Sequence, residues 1–257
     1  MPPPLDILLE TPHLVAISKP PALATIPGRA EPTSVLEQLG HQLSLPTSGT
    51  ADPRLRLVHR LDKDTTGVLL FAKDIDTQRH LSHQFQNNTI EKEYLALVVG
   101  RPRETSGEID APLAPHPNNP RLMIVTKHGR PARTLWQIEE PFRDLCFLRL
   151  FPKTGKTHQI RVHLKHIGHP LAIDPLYNPP PPDKPPGLFL SQLKPNYRPS
   201  RNEEERPLIS RLTLHAEKLR FTTPTGDRTE VVAPLPKDLR ATLSQLRKLS
   251  GRQAPAK

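Results

Sequence analysis

Cysteine is nearly absent from this chain of 257 residues. Cys146 stands alone, which excludes an intramolecular disulfide and any zinc site built on cysteine thiolates. It lies in an apolar stretch, Leu145-Cys146-Phe147-Leu148, where an inert buried thiol is expected rather than a nucleophile. Long apolar runs are missing as well, and none approaches the ~20 residues of a membrane span. The opening Met1-Pro2-Pro3-Pro4 has neither the basic region nor the apolar core of a signal peptide. A cytoplasmic protein without membrane attachment is therefore expected. Hydrophobic residues supply only 35% of the chain, and the 33 prolines explain part of that deficit. Because the prolines cluster, the apolar residues must concentrate in the remaining segments.

Acidic residues are outnumbered, 26 against 36 Lys and Arg, for a formal charge of +10. A cation placed against a phosphate releases a condensed counterion, so a polyanion is a natural partner for such a surplus. Charge sets this direction and proves nothing by itself.

Strand-like alternation is predicted at Leu14 to Ile17, Leu55 to His59, Val68 to Ala72, Glu93 to Val99, Arg121 to Thr126, Thr134 to Ile138, Cys146 to Phe151 and Leu212 to Phe221. A helix capped by Asp74 or Asp76 should carry Leu81 and Phe85 on one face. A second should run from about Thr157 to Ile167 and stop at Gly168, and a last one should bear Leu239, Leu243 and Leu246. Many strands with few helices in mixed order give an α+β class, with a mostly antiparallel mixed sheet flanked by helices and loops. Residues 1–250 read as a single domain, and 251–257 as a flexible basic tail. A proline-rich insertion at about 179–207 should form an exposed, semi-stiff loop. A monomer is the default.

Several chemical motifs fail on inspection. Gly155-Lys156-Thr157 imitates the end of a phosphate-binding loop, but Leu150 stands where its first glycine belongs. Asp62 to Gly67 imitates a calcium loop, yet its twelfth position is Lys73 instead of a bidentate Glu. His158, His163, His166 and His169 suggest a metal site, but no carboxylate follows until Asp174; RNA contact or plain surface is the expected role, with no metal. What survives is a pair of segments, His59-Arg60-Leu61-Asp62-Lys63-Asp64-Thr65-Thr66-Gly67 and Thr154-Gly155-Lys156-Thr157-His158-Gln159-Ile160-Arg161-Val162-His163. A polar turn needs Asp and Gly but not His-Arg immediately before them. Together the two offer a carboxylate with several guanidinium and imidazole groups. Residue chemistry alone reaches a nucleic-acid enzyme or binder with a carboxylate.

These segments resemble the signatures of the RluA-like family of RNA pseudouridine synthases, H-R-L-D-x-x-T-S-G and T-G-R-T-H-Q-I-R-V-H. Val15 to Pro21 resembles the family's N-K-P-x-G strand, and Glu91 to Ala96 its K-x-Y-x-A strand. His169 to Tyr177 resembles H-P-I-x-G-D-x-x-Y, and Leu214 to Phe221 the closing L-H-A-x-x-L strand. The likeness extends from about residue 6 to residue 236. Thr66, Lys156 and Ile173 depart from the usual Ser, Arg and Gly. The chain is similar to the short members that carry no separate N-terminal RNA-binding (S4) domain.

The resemblance implies the pseudouridine synthase catalytic fold and an enzyme that isomerises uridine in tRNA or rRNA without metal or cofactor. Asp62 matches the catalytic aspartate, acting at the ribose C1′ or as a base at C2′. Arg161 matches the arginine that pairs with and orients it, and Tyr94 the tyrosine that stacks on the flipped uracil. Arg60 matches the residue that fills the RNA stack when the uridine leaves, and Leu214 should wall the uracil pocket. His59, Lys156 and His158, in the same motifs, are expected at the substrate. Of the two carboxylates, alternation along an extended segment would turn Asp64 away from the pocket that Asp62 faces. The alternative is a non-catalytic RNA-binding or RNA-folding factor on the same fold.

Overall fold

The computed structural model describes residues 2–28, 33–47, 53–194, 197 and 204–250. In chain order the elements are β1 (Asp6–Glu10), β2 (Leu14–Lys19), α1 (Val35–Leu43), β3 (Arg56–Leu57), β4 (Thr66–Ala72), α2 (Ile75–Gln86) and β5 (Glu91–Val99). There follow β6 (Ser106–Asp110), β7 (Leu113–His116), β8 (Asn119–Val125), β9 (Arg133–Pro141), β10 (Leu145–Pro152) and α3 (Gln159–His166). The chain closes with α4 (Leu190–Leu193), β11 (Leu214–Thr222), β12 (Arg228–Val232) and α5 (Lys237–Ser250). The class is α+β with a mixed sheet.

Two compact units share the chain, the first Met1–Tyr94, Phe151–Gly155 and His215–Pro234, the second Leu95–Leu150, Lys156–Leu214 and Leu235–Lys257. Each is assembled from separated stretches, so neither is a contiguous segment.

In the first unit the strands run β1-β2-β4-β11-β5, with β3 on β4 and β12 on β11. β4 is central because its sequence, Thr-Gly-Val-Leu-Leu-Phe-Ala, has nothing that needs water, and all seven residues are buried. It pairs antiparallel with β2 and parallel with β11. Alternate side chains then face opposite layers. Val15, Ile17, Leu69 and Phe71 pack with Val35, Leu36 and Leu39 of α1. Leu14, Ala16, Val68 and Leu70 pack with Leu81 of α2 and Phe221 of β11. Asp74 caps α2 by accepting from the Thr77 amide at 2.8 Å, and Ser34 caps α1 in a reciprocal exchange with Glu37.

In the second unit the order is β5-β10-β9-β6, and β7 and β8 form a separate antiparallel pair. Leu239, Leu243 and Leu246 of α5 pack with Leu95, Leu97 and Phe147. Val162 of α3 packs with Leu113, Ala132 and Tyr177.

Three expectations are corrected. The strand predicted from Leu55 to His59 shrinks to the two residues of β3. Asp62 to Thr65 is a turn, closed by the Thr65 amide on the Asp62 carbonyl at 3.1 Å, so the argument from an extended segment does not separate Asp62 from Asp64. The proline-rich stretch is exposed over residues 179–186 but not throughout, because it contains Leu188 and Phe189, which are both buried. Leu188 exchanges backbone bonds of 2.8 Å with Leu208 and Ile209, which clasp the base of the insertion. Residues 195–196, 198–203 and the tail lie outside the described residues. β1, β6, β7, β12, α1 and α4 were not predicted.

Candidate active site

In the first unit the half-buried Asp62 sits on a turn that the fold fixes from several sides. The buried Lys19 ammonium donates to the carbonyls of Lys63 at 2.6 Å and Pro20 at 2.7 Å. The Thr25 hydroxyl donates to the Leu61 carbonyl at 2.9 Å. Just after the turn, Thr66 Oγ1 lies 2.9 Å from His215 Nδ1, whose Nε2 is 3.1 Å from the Ala233 carbonyl. A carbonyl only accepts, so Nε2 carries a proton, and with a neutral ring the Thr66 hydroxyl donates to Nδ1. Gly67 follows with φ +118°, and a Cβ there would stand 2.0 Å from the Ala216 carbonyl oxygen, so no other residue fits. The backbone that carries the Asp62 side chain is thus held from both ends of the turn.

Tyr94, near the middle of β5, packs against the α1 side of the core. Burial, and after it the charge of Asp62, push its phenol above the ordinary value, so it stays neutral. The two predicted residues are thus close enough to sense one another. Arg60 is exposed. The His59 ring stacks on Phe85 with centroids 4.3 Å apart, and its Nε2 accepts from the Leu70 amide at 3.0 Å. His59 therefore anchors the approach to the turn.

Burial, and secondarily the Lys92 ammonium, push His59 from 6.5 down to about 3. Its imidazole is neutral in the fold. As pH falls below 6.5, the unfolded chain takes up a proton there that the folded chain refuses until about 3. Stability should then decline across that window, by up to ~1.4 kcal/mol per pH unit. Urea midpoints between pH 7.5 and 5 should fall less steeply in His59→Asn than in the wild type. Parallel slopes would show that the ring is not held neutral.

In the second unit the loop before α3 is tied down by Gln159. Its Oε1 accepts from the Lys156 amide at 3.0 Å, and its Nε2 donates to the Arg133 carbonyl and Thr134 Oγ1, both at 2.9 Å. Lys156 and His158 are half-buried on this loop. Arg161, on the first turns of α3, is buried and forks onto Asp174, with Nε 2.8 Å from Oδ2 and Nη2 2.7 Å from Oδ1. Asp174 also accepts from the amides of Leu176 and Tyr177. The Tyr177 ring lies 5.1 Å from the Arg161 guanidinium carbon. Its hydroxyl accepts from the Met123 amide and meets His158 Nδ1, each at 2.8 Å. Leu214 is buried at the start of β11.

His163 does not reach the surface role expected of it. It is wholly buried, with Nδ1 on Thr134 Oγ1 and Nε2 on the Ala111 carbonyl, both at 2.9 Å, because its position on α3 turns it into the core. Among the described residues no three His, Cys, Asp or Glu side chains gather as a metal ion requires. Cys146 is buried, and that burial pushes its thiol up to about 11, so it is no nucleophile. No described helix is long and apolar enough to cross a membrane. Sequence reasoning left Lys19, Asp174, Tyr177 and His215 off the site, although all four stand inside the blocks that carry the family resemblance.

The family model described as RNA pseudouridylate synthase matches residues 13–166. A protein of Nitrosomonas europaea, Ribosomal large subunit pseudouridine synthase D, is 40% identical over 249 residues, covering 96% of this chain and 66% of the relative. The protein of the same description from Escherichia coli K12 is 39% identical over 240 residues, 92% of this chain and 68% of the relative. The chain thus spans about two thirds of the length of these relatives. Among solved structures, Human RNA Pseudouridylate Synthase Domain Containing 4 superposes with a TM-score of 0.69 at 28% identity, covering 94% of this chain and 93% of that one. Human RNA Pseudouridylate Synthase Domain Containing 1 shares the fold with a TM-score of 0.68 at 22% identity, over 100% of both chains.

Proposed function

This chain belongs to the RNA pseudouridylate synthase family and is an isomerase acting on RNA, and on that premise we propose that it converts uridine of ribosomal RNA to pseudouridine through Asp62. The observation that carries the proposal is the Asp62 turn, pinned by Lys19 and followed by the Thr66–His215 bond, with Tyr94 close enough to feel the carboxylate. Ribosomal RNA is preferred to transfer RNA because the relatives from Nitrosomonas europaea and Escherichia coli are described as acting on the large ribosomal subunit.

In the reaction the C1′–N1 bond breaks, the uracil turns, C1′ joins C5, the C5 hydrogen leaves and N1 gains a proton. Asp62 acts on the sugar, as nucleophile at C1′ or base at C2′; either role is lost without its charge. By its motif position Arg161 is assigned the role of orienting the aspartate, and Asp174 holds Arg161 by its fork. Tyr94 offers a neutral aromatic face on which a detached uracil is retained while it turns. Arg60, exposed just before the turn, fills the gap in the RNA stack. Leu214 walls the base pocket, and Lys156 and His158 meet the RNA from the loop before α3. His59 serves by holding the turn.

Residues 1–250 act in this reading as one catalytic domain, with 179–207 an insertion in it. The interleaving of the units supports this, since neither can be excised as a segment. The enzyme works as a monomer in the cytoplasm, the compartment of bacterial ribosomal RNA. Tritium release from [5-³H]uridine-labelled ribosomal RNA tests the reading directly, because joining C1′ to C5 expels the label. Release from ribosomal but not transfer RNA is expected. Tight RNA binding with no release from either pool would overturn it in favour of a binding factor.

A further inference from the structure

The β7–β8 arm stands apart from the main sheet of the second unit as its own two-stranded ribbon. Its root is secured. Leu122, Met123 and Val125 pack against Leu113, Ala132, Val162 and Tyr177. The Met123 amide donates to the Tyr177 hydroxyl at 2.8 Å. The turn after β8 closes with the Gly129 amide on the Thr126 carbonyl at 2.9 Å, and Arg130 and Leu113 exchange backbone bonds of 2.8 and 2.9 Å. The arm is therefore built firmly on α3, the helix that carries Arg161.

Its charge is one-sided. From Ala111 to Ile138 the sequence has Arg121, Lys127, Arg130 and Arg133, with His116 and His128, and not one Asp or Glu. Elsewhere on this unit Arg149, Arg211 and Arg247 are tied to Glu139, Asp238 and Glu140, and Arg133 itself is tied to Glu108. Arg121, Lys127 and Arg130 are exposed, and among the described residues no carboxylate forms an ion pair with them. Extended chain rises ~3.3 Å per residue, so Arg121 and the end of β8 at Val125 lie roughly 13 Å apart along the arm, with Lys127 in the turn beyond. That is several phosphates of a nucleic-acid strand.

We propose that the β7–β8 arm and its following turn form a grip on the RNA backbone, with Arg121, Lys127 and Arg130 each facing phosphate outside the reacting nucleotide. Exposed cations with no acid beside them are balanced by mobile counterions, which a phosphate strand displaces with a gain in entropy, and a rigid root lets the arm hold RNA in register with α3. A phosphate grip positions the strand and carries no sequence preference. The inference rests on the RNA-modifying reading above and adds where the strand is held.

The test uses the full chain and in-vitro-transcribed large-subunit ribosomal RNA. Arg121→Gln/Lys127→Gln/Arg130→Gln is compared with a control of equal charge loss on α5, Lys237→Gln/Arg240→Gln/Lys248→Gln. The arm variant should bind at least tenfold more weakly at 0.1 M salt. Its slope of log Kd against log salt should fall by about 2, at ~0.7 per phosphate contact on single strands. Its KM should rise while kcat at saturating RNA stays within about twofold. The α5 control should lose far less affinity and keep its slope. Equal losses in both variants would reduce the arm to general charge, and an unchanged slope in the arm variant would overturn the grip. If the wild type bound the RNA and released tritium while the arm variant behaved identically, only the grip would fall. Absence of binding and release by the wild type would remove both readings.

Discussion

Asp62→Asn should abolish tritium release, by roughly 10⁴-fold or more, while RNA affinity stays within a few-fold of the wild type. Asparagine keeps the size and one acceptor oxygen of aspartate and removes only its charge, which both routes at the sugar require. The fold should tolerate the change because the turn is held through backbone, by Lys19 on the Lys63 carbonyl and by Thr25 on the Leu61 carbonyl. Asp64→Asn should keep most of its activity. The two carboxylates share one turn, so this contrast rests on the motif position of Asp62 and on its closeness to Tyr94. Single-turnover assays with equal amounts of folded protein decide the matter. Residual turnover in Asp62→Asn, or an equal loss in Asp64→Asn, would move the catalytic role elsewhere.

Asp174→Asn should cost both stability and turnover. The carboxylate is fully buried and receives the Arg161 fork together with the Leu176 and Tyr177 amides. Removing the charge leaves a buried guanidinium with a neutral partner, and breaking such a pair from one side costs about 3–5 kcal/mol. At ~2–4 °C per kcal/mol in a chain of this size, the melting point should drop by roughly 10 °C. Arg161 would then be poorly oriented, and kcat should fall about 100-fold with KM little changed, since the proposed RNA grip lies with other residues. For comparison, Arg211→Gln, which breaks a more exposed pair with Asp238, should cost no more than ~1 kcal/mol. Thermal melts and steady-state kinetics on the same preparations give both numbers. An Asp174→Asn protein as stable as the wild type would show that the fork contributes little, and one with lower stability but unaltered kcat would remove Asp174 from the support of Arg161.

Local pattern determined the elements whose own residues demand one backbone. The unbroken apolar run of β4 and the spaced leucines of α5 are each readable because burial on a fixed period leaves one solution, and the start of α2 was narrowed to a cap by Asp74 or Asp76, of which the fold uses Asp74. The elements that escaped carry weak patterns. β6 and β12 each bury one side chain, and α1 is a nine-residue helix interrupted by Gly40. Motif spacing likewise singled out Asp62, Tyr94 and Arg161, and the roles proposed for them rest on their positions in the family's motifs.

Only the tertiary structure decided what those groups touch. Nothing in the residues around Arg161 announces that its fork falls on Asp174, nor do those around Thr66 point to His215, 149 residues away. His163 looked like a surface histidine until α3 turned it onto Thr134 and Ala111. Lys19, within the Val15 to Pro21 block, proved to be a buried cation bonded to the turn that carries Asp62. The physical reason is common to all of them. A backbone conformation is chosen largely by neighbours along the chain, whereas a buried charge or polar group must find its partner among whatever groups folding brings within 3 Å.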